Sequence, residues 1–277
     1  MDTTFGKQRR LSRLLRGEQK RALCLAFDHG LHLGSVPGVP EVRKTLKLAC
    51  AAPVDGIILS AGVIMHHGPE FLTGPDAPAI VLRLDHTSMW RSGPPFAFDV
   101  GQTRQVFSVE QAARLGADAV ITYLFLGFDN PELETRCFEL NMRVAEEAQR
   151  LGIPHVIESM AARGGSVADP FDPAVVAAHT RIADELGADL IKTDWPGSAK
   201  AMAPISEGVS APILVAGGSS LNDDEAVVRM TAEVLKGGAH GLMFGRNIFQ
   251  AEDPARLLRQ LRALIHDGVS VKKALAA

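Results

Sequence analysis

The sequence predicts a (β/α)₈ TIM barrel, an α/β fold, with a short N-terminal helical extension. Three observations carry that prediction. Eight short apolar runs of strand length recur between residues 22 and 244. Amphipathic helical stretches lie between most of them, the alternation that builds a parallel sheet. The chain has 277 residues and no long linker, and single barrel domains commonly run near ~250 residues. Residues 1–277 therefore read as one domain, with 1–21 as the extension.

Residues 7–21 are rich in Arg and Lys, and Leu11, Leu14 and Leu15 recur at helical spacing. The expectation is an amphipathic helix packed on the domain with a solvated basic face. The stretch lacks the apolar centre of a secretory signal, and its few serines argue against a transit peptide. The first strand is read over Ala22 to Phe27, ending at Asp28-His29-Gly30. The second runs Asp55 to Ser60, and the third Ala79 to Leu84, closing on Asp85-His86-Thr87. The fourth is Asp118 to Tyr123, the fifth Pro154 to Ser159, the sixth Asp189 to Thr193. The seventh, Pro212 to Ala216, enters Gly217-Gly218; the eighth, Gly241 to Phe244, enters Gly245-Arg246-Asn247. Helical periodicity is clearest over Leu133 to Arg150 and Pro173 to Leu186, with Gly at the exits. Leu-Gly-Ala-Asp occurs at 115–118 and again at 186–189, each time joining a helix end directly to a strand. An open doubly wound sheet is the main rival. It usually carries a Gly-rich fingerprint after its first strand, where this chain has Asp-His-Gly, and neither GxGxxG nor a Walker A sequence occurs.

Bulk properties exclude several classes. Net charge is −3, so nothing supports a nucleic-acid-binding surface. Cys24, Cys50 and Cys137 are scattered and form no CxxC pair, which fits a reducing cytoplasm. No run approaches the ~20 apolar residues needed to cross a bilayer, so no membrane association is expected.

Lys192 is the residue that most suggests a chemistry. It stands in Ala-Asp-Leu-Ile-Lys-Thr-Asp-Trp-Pro-Gly (188–197), late in an apolar strand. Burial disfavours an ammonium, and a neutral amine attacks a carbonyl to form a Schiff base. The bland reading is a strand-end lysine that reaches solvent along its aliphatic stem. In a barrel, functional side chains come from the C-terminal ends of strands. Those ends carry Asp28, His29, Ser60, Asp85, His86, Tyr123, Glu158, Lys192 and Asp194. Asp28 can shuttle protons or hold a substrate hydroxyl, or simply cap a helix. Tyr123, the chain's one tyrosine, is either a general acid–base phenol or an aromatic of the upper barrel layer. Glu158 reads as a proton relay or an ion-pair partner of Lys192 or Arg163. Asp194, two residues past Lys192, points to the same side if the strand continues, and is otherwise a loop carboxylate.

Gly217-Gly218-Ser219-Ser220 and Gly245-Arg246-Asn247 suit a phosphate. Glycines admit close approach of backbone N–H groups, a helix after each loop would add its positive end, and Arg246 adds a charge-assisted bond. The bland reading is turn glycine with a structural arginine. His29, His32, His66, His67 and His86 follow the first three strands and with Asp28 or Asp85 could form a metal site. Their spacing matches no strong ligand signature, and the expected metal set is none.

The motifs together resemble the archaeal-type class I fructose-bisphosphate aldolases and their relatives. That wider group includes an aldolase-like heptulosonate synthase and the phospho-autoinducer-2 thiolase. The matching segments are Leu-Ala-Phe-Asp-His-Gly (25–30), Tyr123 with Leu-Phe-Leu-Gly, Arg163-Gly164-Gly165, Ile-Lys-Thr (191–193), Val-Ala-Gly-Gly (215–218) and Gly-Arg-Asn-Ile-Phe-Gln (245–250). The resemblance implies covalent catalysis through an imine on Lys192, with no separate cofactor. It implies Tyr123 as a proton-transferring partner and Asp28 in the site. His29, Arg163, Gly164, Gly217, Gly218, Gly245 and Arg246 are the expected substrate and phosphate contacts, and Glu158 the expected relay. It also implies a homo-oligomer, frequently a decamer in relatives.

Three segments depart from the pattern: Arg83 to Arg91, His66-His67, and Asp194-Trp195-Pro196. They follow expected strand ends, where substrate identity is set. The expected activity is class I aldol cleavage or formation in a phosphorylated ketose, with fructose 1,6-bisphosphate as the default. A transaldol-type synthase or thiolase would use the same imine. A metal-dependent barrel lyase or hydrolase, and a sugar-phosphate sensor without turnover, are the readings from other classes.

Overall fold

The computed structural model describes residues 4–35, 41–52, 54–91, 93, 96–98, 101–218 and 221–276. In chain order the elements begin α1 Thr4–Leu14, β1 Ala22–Ala26, α2 His29–Leu33, α3 Val42–Ala51, β2 Gly56–Leu59, α4 Ala61–Phe71 and β3 Ala79–Arg83. There follow β4 Asp85–Thr87, β5 Thr103–Gln105, α5 Val109–Arg114, β6 Ala119–Leu126, α6 Pro131–Leu151 and β7 His155–Ala161. The chain ends with α7 Pro173–Glu185, β8 Leu190–Thr193, α8 Ala199–Glu207, β9 Ile213–Ala216, α9 Asp224–Lys236, β10 Gly241–Phe244, α10 Arg246–Phe249, α11 Pro254–Ile265 and α12 Val271–Leu275. Eight strands close a parallel barrel in the order β1-β10-β9-β8-β7-β6-β3-β2.

All eight expected strands are present. β6 and β7 run on to Leu126 and Ala161, so Tyr123 and Glu158 lie inside strands rather than at their ends. The antiparallel β4–β5 pair has no counterpart in the sequence reading. Three-residue strands are too short to show a period.

Two faces of each strand are buried, and they face different things. Cys24, Ile58, Val81, Ile121, Val156, Leu190, Leu214 and Met243 form one cluster inside the barrel. Leu23, Leu25, Ile57, Leu82, Val120, Ile157, Ile191 and Val215 belong to the larger cluster shared with the helices. That double burial is why the strands read as unbroken apolar runs rather than alternating ones.

α1 closes the lower end of the barrel. Leu14 and Leu15 join the interior cluster. Gly56 leaves the space for it: a Cβ there would come within 2.5 Å of Leu14 Cδ2. The basic face of this segment stays largely in solvent, with Arg9, Arg16 and Lys20 exposed, but three of its cations also reach carboxylates of the barrel. Lys7 pairs with Asp189 at 2.8 Å, Arg13 with Asp118 at 2.9 Å, and Arg16 with Asp55 at 3.7 Å. Each carboxylate also accepts a backbone N–H from the preceding barrel strand's start: Asp55 from Leu23, Asp118 from Ile80, Asp189 from His155. Asp118 and Asp189 are the last residues of the two Leu-Gly-Ala-Asp repeats. The repeat therefore has a physical meaning. Its glycine turns the chain at positive φ, and its Asp ties the new strand both to its neighbour and to α1.

Candidate active site

The interior alternation places the polar residues. Side chains two apart on a strand face the same way. Val81, Ile121, Val156 and Leu190 lie in the inner cluster, so Arg83, Tyr123, Glu158 and Lys192 face inward one layer higher. Tyr123, Glu158 and Lys192 are in direct register across β6, β7 and β8. Asp28 and Asp194 stand two residues past Ala26 and Lys192 and extend the same layer upward.

A cavity of ≈ 450 Å³ opens above this layer at the C-terminal ends of the strands. Its lining includes Asp28, His29, Tyr123, Glu158, Arg163, Lys192, Asp194, Gly217, Gly218, Gly245 and Arg246. Trp90, Met160, Pro170 and Phe171 supply an apolar wall. All the expected site residues meet here except Gly164, which lies in the turn after β7 at φ +70° and is not part of the lining. Ser219 and Ser220 lie outside the described residues.

Lys192 is buried, so the solvent-reaching alternative fails. It does not stand alone either: its Nζ is 2.6 Å from Glu158 Oε1. Arg163, the other partner weighed for Glu158, stacks instead over the Trp90 ring at 5.3 Å. The second cation in the layer is Arg83, fully buried. Its Nε donates to Asp28 Oδ2 at 2.7 Å, its Nη1 to Asp85 Oδ1 at 3.3 Å, and its Nη2 to Glu158 Oε2. One guanidinium thus spends three donors on three carboxylates, a fork geometry that lysine lacks.

This network sets the ionisation of the site. Burial pushes Glu158 up, but Lys192 and Arg83 outweigh it and hold the carboxyl below its usual range. Burial also acts on Asp28, and Arg83, His32 and Lys192 overcome it, leaving Asp28 well below. Asp28 occupies the cap position of α2 without capping it, because its carboxylate is taken by Arg83. Burial drives Tyr123 well above the usual phenol, Arg83 opposes, and Glu158 and Asp28 add to the rise. The Arg83 guanidinium lies 3.8 Å over its ring, and Trp90 Nε1 donates to its hydroxyl at 3.3 Å. Asp194 is pushed up to about 7, first by burial, then by the Glu158 charge, with Lys192 opposing.

The rim after β9 and β10, between the strands of Lys192 and Asp28, is cationic. Arg246 Nη2 donates to Gly218 O at 2.9 Å, while Asn247 Nδ2 holds Gly217 O at 2.6 Å. Gly218 has φ +61°. Gly245 admits no side chain, since a Cβ would come within 2.5 Å of His29 Cε1. Burial lowers Arg246 from its usual value, and nearby Arg163 lowers it further, the sign of two cations facing one space. His29 is lowered by burial, with Asp28 opposing, and its Nδ1 has no hydrogen-bond partner among the described residues. The rim suits an anion, though not through both helices. α9 starts at Asp224, caps itself with Asp223, and carries Asp224 and Glu225 in its first turn.

The metal reading finds no donor set. His66 and His67 lie on α4, away from the cavity. His32 stacks against His86 at 5.7 Å and accepts the Thr87 N–H on Nδ1. Asp28, Asp85 and Glu158 are each engaged by Arg83. Among the described residues no three His, Cys, Asp or Glu converge on one point. The sequence marked Arg83 to Arg91 as a departing segment but gave Arg83 and Trp90 no role of their own in the site. A lone arginine inside Ala-Ile-Val-Leu-Arg-Leu was the available signal for the first.

Known proteins share this fold and part of this sequence. A family model described as DeoC/LacD family aldolase matches residues 22–251. The chain is 32% identical over 263 residues to a 2-amino-4,5-dihydroxy-6-oxo-7-(phosphonooxy)heptanoate synthase of Streptomyces griseus, covering 95% of this chain and 91% of that protein. It is 32% identical over 275 residues to a 2-amino-3,7-dideoxy-D-threo-hept-6-ulosonate synthase of Halobacterium salinarum, covering 99% and 97%. Among solved structures, an archaeal fructose-1,6-bisphosphate aldolase with its catalytic Lys bound to the carbinolamine intermediate superimposes with a TM-score of 0.79. That match has 27% identity and covers 94% of this chain and 99% of the other. The chain belongs to the DeoC/LacD family of aldolases.

Proposed function

We propose that the protein is a class I aldolase in which Lys192 forms an imine with a phosphorylated ketose. The observation that carries this reading is the buried Lys192 amine, 2.6 Å from Glu158 and in the wall of a cavity that Arg163 and Arg246 also line. Glu158 Oε1 is the nearest acceptor for the proton the amine must shed. Lys192 then attacks the ketone, and loss of water gives the iminium, which accepts the electron pair of the breaking C–C bond. Tyr123 offers its O–H to the hydroxyl beside that bond, and a carboxyl of the same layer takes the hydroxyl proton. Water finally hydrolyses the imine. The phosphate rests on the Gly218 and Gly245-Arg246 loops, which fixes the ketone beside the lysine.

Borohydride added with dihydroxyacetone phosphate or fructose 1,6-bisphosphate should mark Lys192 covalently. Lys192→Met should abolish the mark and lower turnover by at least ~10³-fold, the usual scale for a lost covalent nucleophile. A Lys192→Met protein with full turnover ends the reading.

A second reading keeps the imine but makes the reaction a transaldol-type synthesis. It is favoured by the two synthases at 32% identity over nearly the whole chain. Product analysis separates the two. Trioses released from the ketose bisphosphate alone support cleavage; a longer phosphorylated chain formed only when an aldehyde acceptor is added supports synthesis. Self-association is part of the same proposal, checked by light scattering of the purified protein. A cytoplasmic setting accords with three free cysteines. No helix among the described residues is long and apolar enough to cross a membrane.

A further inference from the structure

We propose that Asp194 is the general acid–base residue of the reaction, taking and returning the proton that C–C cleavage releases. The proposal rests on the imine reading above and names the carboxyl that reading left open.

Asp194 follows Lys192 by two residues, lines the cavity beside it, and is only 3% exposed. Its carboxyl makes no hydrogen bond or ion pair with any described residue, although it is buried, where polar groups are nearly always paired. A buried carboxyl that faces a cavity without a partner is free to meet a substrate hydroxyl. The other candidates are engaged. Glu158 is held between Arg83 and Lys192. Asp28 is held by Arg83, with His32 3.8 Å away. Tyr123 keeps its proton under the Arg83 guanidinium. His29 packs against the Gly245 turn on the anion side.

Charge counting gives the same answer. Asp28, Asp85 and Glu158 already face two cations, Arg83 and Lys192. A fourth carboxylate is disfavoured first by its burial and then by Glu158 on β7, with Lys192 on β8 opposing, and the outcome pushes Asp194 up to about 7. A group that is half protonated near neutrality is best matched to moving a proton in both directions.

The step balances. The proton on the hydroxyl beside the breaking bond passes to the Asp194 carboxylate. That oxygen's freed electron pair forms the aldehyde C=O. The C–C pair flows into the iminium, giving the enamine. Asp194, now a carboxylic acid, returns its proton to the enamine carbon, and the regenerated iminium is hydrolysed by water.

The test uses the full-length protein, borohydride trapping, turnover, and exchange of the dihydroxyacetone phosphate C–H with deuterated water. Asp194→Asn should still be trapped at Lys192 but lose ~10²–10⁴-fold in turnover, the range for a removed acid–base group. It should also lose C–H exchange and the ionisation near pH 7 in the kcat profile. Asp194→Glu should recover part of both, and Tyr123→Phe should keep the ionisation. Failure of wild-type protein to trap sinks the imine reading itself. Trapping with unimpaired turnover in Asp194→Asn, or loss of trapping in a protein of native circular dichroism, overturns the Asp194 role alone. If Asp194→Asn does not fold, wild-type C–H exchange decides: a rate governed by a group near pH 7 supports the proposal, and a rate flat from pH 5 to 9 overturns it.

Discussion

Arg83 is the residue on which the ionisation of the site turns. Replacing it with Leu leaves Asp28, Asp85 and Glu158 buried without their shared cation. Removing one partner of a buried ion network typically costs about 3–5 kcal/mol, so Arg83→Leu should lose stability on that scale in urea titration at pH 7.5. The sign with pH follows from the directions of the shifts. Asp28 and Glu158 are depressed in the folded protein, so their contribution is present above the ordinary carboxyl range and fades as pH falls. The gap between wild type and Arg83→Leu should therefore narrow toward pH 4; a gap that is constant or widens contradicts the assigned network. Asp194 has the opposite sign. Its pKa is raised from 3.8 to about 7, so the folded state loses stability as pH climbs through that window, by at most roughly 4 kcal/mol. Asp194→Asn should remove the loss and melt higher than wild type at pH 8, with the difference shrinking toward pH 4. Lys192 and Asp28 were legible as site residues because each closes an apolar run. Arg83 was not, because its partners lie 55 and 75 residues away on β1's exit and β7, and a lone arginine in a strand does not name them.

At the scale of elements, strand alternation explains both what the sequence revealed and what it hid. Eight barrel strands were readable because both faces are apolar for most of their length. Which residues face inward was hidden for the same reason, and Tyr123 and Glu158 were placed at strand ends when they lie within. The β4–β5 pair, which carries Asp85 and leads into Trp90, was invisible, since six residues separated by a long connection have no period. α1 was expected as an amphipathic helix with a solvated basic face, and what the spacing did not show is that Lys7, Arg13 and, just past the helix, Arg16 also reach carboxylates at three strand starts. Sequence spacing shows a helix's apolar stripe and not what its polar face will meet. Leu14 is the centre of this closure, fully buried against Gly56. Leu14→Ala should cost about 2–5 kcal/mol, the range for emptying a core leucine site. Trapping of Lys192 in the folded fraction should stay unchanged, because the apolar barrel layer separates α1 from the site. If Leu14→Ala folds normally but loses trapping, the two ends of the barrel are coupled in a way this packing does not explain.

For the whole molecule, the barrel is closed at one end and charged at the other. The net charge of −3 opposes the approach of the phosphorylated ketose proposed as substrate, yet Arg163 and Arg246 line the same cavity as Lys192. Local field, not net charge, governs capture in a low-dielectric cleft. Arg246 is lowered first by burial and then by the nearby Arg163 charge, and an anion entering between the two offsets that repulsion, so the rim suits a phosphate. In wild type, KM for the phosphorylated ketose should rise with ionic strength, and inorganic phosphate should compete. In Arg163→Gln, KM should rise ~10-fold or more while the unphosphorylated sugar is turned over as poorly as before, since a charged hydrogen bond contributes about 1.5–3 kcal/mol. Arg246→Ala should do the same and also free Gly218 O, its hydrogen-bond acceptor, so its kcat should fall as well. The discriminating measurement is the ratio of kcat/KM for phosphorylated over unphosphorylated substrate. A ratio unchanged in both variants would mean that the phosphate is held elsewhere, and that the Gly218 and Gly245 turns serve only to close the chain between β9, β10 and their helices.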